Sequence, residues 1–398
     1  MKRILLITPL YPIPYPENNT TGVCHSFAKE WIRQGYDVLV IHFQPVHCLA
    51  WHLLIRLFGR QISNYVGGGN FYSKKLRKTE YYTMDGVPVF RVPVYNFIPH
   101  GRFPARSVGK FISETLDILK AKDFAPDAIL GHMLPLEVIP LLNEHLHTRT
   151  FMVEHGVPKK LKERYPEYKD LILSYDRYGF RSKGIQKDFE EKICKVPSPF
   201  ICYSGIPDDF PVDNCRKSFE GPLKSFIYVG EFIRRKYPSK VVEALSKVYP
   251  EGDFSLTYVG EGPDRQAIDA AVKASSASSS VHFTGKLPRK EIKAFYDEAD
   301  CMIMISEAEA FGLVYLEAMA RGCITIGSRG EGIDGVIIDG VNGFLCAAGD
   351  SEELEGIIRK INELTPEKRR AVSAAAIETA RRMTDAAVAG EYASILLS

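Results

Sequence analysis

The sequence predicts an α/β protein of two Rossmann-like domains facing a central cleft. Three observations predict it. A chain of 398 residues has room for two domains at about 100–200 residues each. Between Ser225 and Ser328, short apolar runs alternate with longer helical patterns, as in a parallel sheet with crossover helices. The front half repeats that alternation less regularly.

Composition agrees with this class. The chain is 45% hydrophobic and 25% charged, which excludes a disordered or collagen-like protein. It has no uninterrupted apolar window of the length that spans a bilayer. The opening MKRILLITPLYP has a short apolar run followed by prolines. It reads as a first buried strand of a cytoplasmic protein, not as a signal peptide. The eight cysteines have no CxxC spacing and read as reduced thiols.

Taken in order, RILLIT (3–8) is a strand, SFAKEWIRQGY a helix ending near Gly35, and DVLVIHF the next strand. From about 45 to 105 the pattern breaks, and this segment reads as an insertion. PDAILGH (126–132) and TFMVEHG (150–156) are strands that end at His132 and at His155-Gly156. In the back half, SFIYVG (225–230), FSLTYVG (254–260), VHFTG (281–285), CMIMIS (301–306) and CITIGS (323–328) are strands. They read as continuous apolar runs because both faces of a parallel sheet are covered. SKVVEALSKVY, KEIKAFYDEA and GLVYLEAMA are helices between them. The tail from Pro366 is alanine-rich and helical, with a break near Thr384. These readings give an N-terminal domain over 1–210, a polar, turn-rich linker over 211–222 and a second domain over 223–383. The helix over 384–398 is expected to pack back on the first domain.

Charge divides along the same line. Residues 1–200 hold 28 Lys and Arg against 19 Asp and Glu, a balance of +9. The rest holds 23 against 30, a balance of −7. The apolar-basic stretch LAWHLLIRLFGR (49–60) and the Lys/Arg-rich stretch after it could lie on an anionic membrane surface. An ordinary core helix is the alternative. Nucleic-acid binding is disfavoured by the acidic second half and by the lack of aromatic-basic interleaving.

Ligands of parallel sheets bind beyond the carboxyl ends of the strands. There, after CMIMIS, stands SEAEAFGLVYLEAMARG (306–322), with Glu309 in the loop, Gly312 at a helix start and Glu317 about a turn in. A helix N-terminus attracts phosphate, and a glycine lets the backbone approach closely. Carboxylates repel phosphate but accept hydrogen bonds from hydroxyls. The segment therefore fits a molecule with phosphate in its middle and hydroxyl-rich groups at both ends, such as a nucleotide-sugar. The plainer alternative is that Glu309 caps the helix and Glu317 is a solvated first-turn carboxylate.

The Glu309-x7-Glu317 spacing, EAMARGCITIGS after it, NGFL (342–345), and YVGEGP (258–263) followed by VHFTG occur in one order. With them the chain resembles the retaining glycosyltransferases of the two-domain GT-B fold, family 4 (glycosyl transferases group 1). The resemblance covers nearly all of 223–365. The front half fits more loosely, through the first strand, Thr21-Gly22, His155-Gly156 and CYSGIPDDF (202–210). It implies a retaining, metal-independent transfer of a sugar from a nucleoside diphosphate sugar, UDP or GDP, to a glycan or lipid-linked acceptor in cell-surface polysaccharide biosynthesis. The place implied is cytoplasmic, at the inner face of the membrane, and no cofactor is implied.

The same resemblance assigns residues. Glu309 would bind donor-sugar hydroxyls and Glu317 the ribose. The N–H groups of Phe311, Gly312 and Leu313 would approach the distal phosphate, and Gly285, Lys286 and Leu287 would lie near the base. Lys236 fits the usual lysine position. Glu231 stands where the family has an arginine, and Arg235 is the substitute, with Arg234 second. His155 would lie near donor phosphate and acceptor, and Gly22 would let backbone N–H groups approach the diphosphate or the acceptor. His132 at the preceding strand end is a weaker candidate, and a core histidine is the alternative for both. No D-x-D or His/Cys cluster for a metal is visible. Two other functions share these features: a sugar-nucleotide epimerase or hydrolase on the same scaffold, and a non-catalytic sugar-nucleotide-binding partner.

Overall fold

The computed structural model describes residues 1–14, 22–47, 51, 74–97, 101–156, 165–196 and 198–398. The chain forms two compact units. The first comprises 1–180, 188–202 and 389–398, the second 181–187 and 203–388.

The first unit is built on β1 (Arg3–Thr8), α1 (Val23–Arg33), β2 (Asp37–His47), β3 (Glu80–Met84), β4 (Val87–Asn96), α2 (Ala105–Ala121), β5 (Ala128–His132), α3 (Val138–Leu146), β6 (Arg149–Glu154), α4 (Tyr165–Leu173), β7 (Arg177–Phe180), α5 (Lys183–Lys192, which starts in the second unit) and β8 (Phe200–Ile201). Its sheet runs β3-β4-β2-β1-β5-β6-β7-β8. Only the β3–β4 pairing is antiparallel. Ile4 to Ile7 and Ile129 to Leu130 are fully buried, as central strands covered on both faces require.

The β3–β4 hairpin corrects the expectation of an insertion over 45–105. Its turn is Asp85-Gly86, with φ of 48° and 84°. Positive φ at both central residues is the hairpin geometry that Asp-Gly favours. β4 then pairs in parallel with β2 from Val40 to His47, so this stretch extends the sheet.

The second unit contains β9 (Ser225–Val229), α6 (Pro238–Val248), β10 (Ser255–Val259), α7 (Arg265–Lys273), β11 (Val281–Gly285), α8 (Arg289–Glu298), β12 (Cys301–Ile303), α9 (Leu313–Ala320), β13 (Ile324–Ser328), β14 (Phe344–Cys346), α10 (Ser351–Glu363) and α11 (Pro366–Arg381). Its sheet is parallel throughout, in the order β11-β10-β9-β12-β13-β14. Every back-half strand read from the sequence is present, although CMIMIS is extended only over 301–303.

The stretch 211–222 is not a free linker; it is packed within the second unit. Val212 N–H donates to the Ala320 carbonyl (3.0 Å). Arginines of α11 hold four of the stretch's carbonyls: Arg381 those of Val212 (2.7 Å) and Asp213, Arg370 that of Ser218 (2.8 Å) and Arg369 that of Gly221. Turn-rich composition marks irregular backbone, and side-chain donors from a distant helix decide whether it is ordered. The chain breaks at Thr384, and α12 (Asp385–Leu397) carries residues of the first unit from Ala389 on. There Trp31 donates its indole N–H to the Ala389 carbonyl (2.8 Å), and the Tyr392 ring lies 5.2 Å from Phe27 and 5.4 Å from Trp31.

Candidate functional site

The carboxyl ends of β9, β10 and β12 converge in the second unit, and their glycines make the approach possible. A Cβ on Gly260 would lie 2.0 Å from the Gly230 carbonyl oxygen, and one on Gly262 would strike the Phe232 backbone at 2.3 Å. The Lys236 side chain crosses Gly230, with Cδ and Nζ each 3.5 Å from where a Cβ would stand.

Gly312 opens α9 with φ of 81°, and the helix has no side-chain cap. A Cβ there would lie 2.4 Å from the Tyr315 ring, so both backbone and packing demand glycine. The unpaired N–H groups of the first turn leave this end positive. The loop before it is fastened at both ends. Glu309 N–H donates to Glu331 Oε2 (2.8 Å), and Gly332 N–H to the Glu309 carbonyl (2.9 Å). Glu307 N–H donates to the Arg235 carbonyl (2.7 Å), and Arg235 returns bonds to the carbonyls of Glu307 (3.2 Å) and Ala308 (3.3 Å).

This fastening puts the Glu309 carboxylate beside two cations. Its Oε2 lies 3.3 Å from Lys236 Nζ and 3.6 Å from Arg235 Nη1. The same oxygen is buried and receives no hydrogen bond, so charge alone engages it. A buried acceptor left without a donor costs about 1–3 kcal/mol, a deficit that a ligand hydroxyl would remove.

Glu317 sits deeper, 3% exposed. Arg289 Nε is 2.6 Å from its Oε1, and the Tyr296 hydroxyl donates to its Oε2 (3.3 Å). Burial pushes the Glu317 carboxyl up, while Arg289 and the Tyr296 bond oppose that shift. Gly285 ends β11 with φ of 74°, and its carbonyl accepts from Gly260 N–H (2.9 Å). After it, Lys286 is exposed and Leu287 half-buried. Phe311 is buried against Tyr203, 5.4 Å between ring centres. Glu231 is exposed, and Arg234 and Arg235 are exposed beside the more buried Lys236.

The second unit thus brings together Glu309, Lys236, Arg235 and the Gly312 helix start. Glu317 is engaged by Arg289, which sequence reasoning passed over along with Tyr296 and Glu331. Glu331 sits in the RGEG that follows β13, a strand-end position like that of Glu309, and this was the available signal. Arg289 had none beyond its place at the start of α8.

In the first unit, His155 follows β6, with Nε2 2.9 Å from His132 Nδ1, and His132 Nε2 is 3.1 Å from the Tyr392 hydroxyl. Gly22 stands at the start of α1 with φ of −79°, a conformation open to any residue, and no described atom lies within 4 Å of where a Cβ would stand. The Glu154 carboxyl, missed from sequence, is buried, accepts from Tyr178 (2.7 Å) and is pushed up to about 7 by burial. A cavity of about 750 Å³ lies along α2 and α3, lined by Phe103, Val108, Ile112, Leu116 and Leu141, and includes none of the expected site residues. Thr21 and 49–60 other than Trp51 lie outside the described residues. Among the described residues no group of three or more His, Cys, Asp or Glu side chains is placed to hold a metal ion, and no helix is long and apolar enough to cross a membrane.

Comparison with known proteins finds a family model that matches part of the chain. Residues 215–379 match the model of the family described as Glycosyl transferases group 1. The chain is 39% identical over 128 residues to N-acetyl-alpha-D-glucosaminyl L-malate synthase of Bacillus anthracis, a match covering 32% of this chain and only 33% of that protein. It is 25% identical over 280 residues to the amylovoran biosynthesis glycosyltransferase AmsK of Erwinia amylovora, covering 66% of this chain and 68% of that one. In fold it resembles HepE of Anabaena, solved in complex with UDP, with a TM-score of 0.68 at 15% identity over 100% of this chain and 99% of that one.

Proposed function

From the match of residues 215–379 to the group 1 glycosyltransferase model, the GT-B fold and the likeness to enzymes of polysaccharide biosynthesis, we propose that the chain transfers a sugar from a nucleoside diphosphate sugar to a glycan or lipid-linked acceptor. One observation carries the donor reading. Glu309 Oε2 is a buried acceptor with no hydrogen bond, beside Lys236, Arg235 and the uncapped start of α9. The carboxylate suits a sugar hydroxyl. The cations and helix end suit the diphosphate.

In this reading Lys236 and Arg235 leave Glu309 for the phosphates when donor binds, and a hydroxyl donates to the carboxylate in their place. Glu317 accepts from the ribose hydroxyls, and Gly285 to Leu287 border the base. His155 is assigned to the side of donor phosphate and acceptor, and Gly22 to the backbone approach. The bond from the anomeric carbon to the phosphate oxygen breaks, and a bond to the acceptor oxygen forms on the same face. The departing phosphate oxygen takes the acceptor's proton. Retention rests on the likeness to retaining family 4. Positive charge for the leaving group comes from Lys236, Arg235 and the helix end, without a metal. The basic front half would meet an anionic membrane at the cytoplasmic face, where a lipid-linked acceptor is found.

The test is a panel of UDP- and GDP-sugars, with nucleoside diphosphate release followed with and without candidate acceptors and the product anomer read by NMR. Acceptor-dependent release with the donor's anomeric configuration kept is expected. Release that ignores the acceptor would point to a hydrolase or epimerase, and no release with any donor to a binding partner.

A further inference from the structure

Arg289 opens α8 directly after Pro288, whose φ of −62° and ψ of 145° set the helix start. A cation there faces the positive end of the helix, against the dipole preference. Another charge therefore holds it, and that charge is Glu317. The Arg289 side chain remains 44% exposed, whereas that of Glu317 is 4% exposed. An ionised carboxylate offers about four acceptor positions, two on each oxygen. Arg289 Nε occupies one on Oε1 (2.6 Å), and the buried Tyr296 hydroxyl, whose one proton is shared with the Val314 carbonyl (3.4 Å), occupies one on Oε2 (3.3 Å). One position remains on each oxygen, the number a vicinal diol needs.

We propose that Arg289 is a positioning residue for nucleotide binding: with Tyr296 it holds the buried Glu317 carboxylate charged and oriented, leaving one acceptor position per oxygen for the two hydroxyls of a ribose. The proposal rests on the donor reading of Glu317 given above.

The other charged and titratable groups around Glu317 are committed elsewhere. On α8, Lys293 pairs with Asp209 (2.7 Å), and Asp297 with Arg321 of the α9 end (2.6 Å). Lys217 donates to the carbonyls of Tyr296 and Asp297 (2.9 and 2.8 Å). Burial keeps the Tyr296 phenol and the Cys323 thiol neutral by pushing both up, the thiol to about 12. Among the described residues, Arg289 is the cation paired with Glu317. Burial raises the Glu317 carboxyl and Arg289 opposes it, so removing Arg289 leaves burial unchecked. A neutral Glu317 turns one acceptor position into a donor and no longer matches a diol.

Calorimetric titration with UDP, and with GDP in parallel, across pH 6 to 9 tests this in wild type, R289M, R289Q, R289K and E317Q. Dividing each dissociation constant by the wild-type value at the same pH cancels the nucleotide's own titration. For R289M and R289Q the ratio is expected to be about tenfold at pH 6 and to shrink toward pH 9, as Glu317 regains its charge. R289K keeps the cation and should stay within about threefold throughout. E317Q should be weakened by one ratio at every pH. Ligand-free melting supplies a second readout. The deficit of R289M against wild type should grow with pH, as a buried carboxylate ionises unpaired, and vanish in the R289M/E317Q double variant. A pH-independent R289M ratio with E317Q still weakened would overturn the positioning role alone. Unchanged nucleotide binding by E317Q would overturn the ribose reading of Glu317, and the positioning role with it.

Discussion

The two units share a parallel-sheet plan but assemble their chemistry differently. In the second unit, the groups around Glu309 come from two short stretches at strand ends, 230–237 and 307–317, with Glu331 fastening the loop. In the first, His155 reaches His132 on the neighbouring strand, and His132 reaches Tyr392, 260 residues further along the chain. A helix N-terminus and two flanking carboxylates need little sequence to specify. A histidine pair whose buried member, His132, is held by a returning C-terminal helix needs the whole fold. A cluster of charged and polar groups can thus be specified by a local motif in one unit, while a comparable cluster in the other is set by long-range packing.

Substitutions should respect that division. The largest effect is expected from Glu309→Ala, which removes the orphaned acceptor proposed to orient the reacting sugar. Turnover should fall by about 10²-fold or more. A wild-type kcat with only a raised KM would assign Glu309 to ground-state binding and weaken the contrast. Next comes Lys236→Met. A charge-assisted contact is worth about 1.5–3 kcal/mol, so UDP or GDP should bind roughly 10- to 100-fold more weakly, while the uncharged nucleoside changes little. Arg235→Met should act in the same direction with a smaller loss, because its side chain is 43% exposed and that of Lys236 only 14%. Equal losses for nucleoside and nucleoside diphosphate would remove both cations from the diphosphate.

A smaller effect is expected in the first unit, on stability and not on the donor. Folded Glu154 holds its proton up to about pH 7, whereas its ordinary value is 4.5. The native state therefore binds the extra proton between those values, and stability conferred by neutral Glu154 is lost as pH rises through that window. Melting of wild type relative to Glu154→Gln should fall by a few degrees from pH 4.5 to 7, as about 1 kcal/mol shifts a large domain by roughly 2–4 °C. Parallel curves would mean that Glu154 does not titrate there. The smallest expected effect is none: turnover should survive EDTA if Lys236, Arg235 and the α9 start supply the positive charge, as proposed. Inactivation by chelator, reversed by Mg²⁺ or Mn²⁺, would show that a metal takes that part.

What the sequence disclosed follows the same line. The strands of the second unit were legible because each is a short apolar run ended by a glycine or a polar residue. Gly312 was legible because it opens a helical pattern. The Asp85-Gly86 turn was readable in principle, but Pro88 and Pro93 within β4 disguised the strand. Arg289 and Tyr296 escaped because their meaning lies in reaching Glu317 from a separate helix, which no local spacing reveals. The ordered stretch at 211–222 escaped for a related reason, since the arginines that fix it stand about 150 residues away.

The central claim is that the second unit binds a nucleoside diphosphate through its Glu309 and Lys236 cluster. Thermal melting of wild type and Lys236→Met with UDP, GDP, their monophosphates and their nucleosides tests it most directly. A ligand at about 100 times its Kd should stabilise the native state by about 2.7 kcal/mol. One diphosphate should raise wild-type melting more than its monophosphate, and the monophosphate more than the nucleoside, with the diphosphate's advantage lost in Lys236→Met. No shift with any nucleotide at millimolar concentration, or a diphosphate advantage that survives in Lys236→Met, would contradict it.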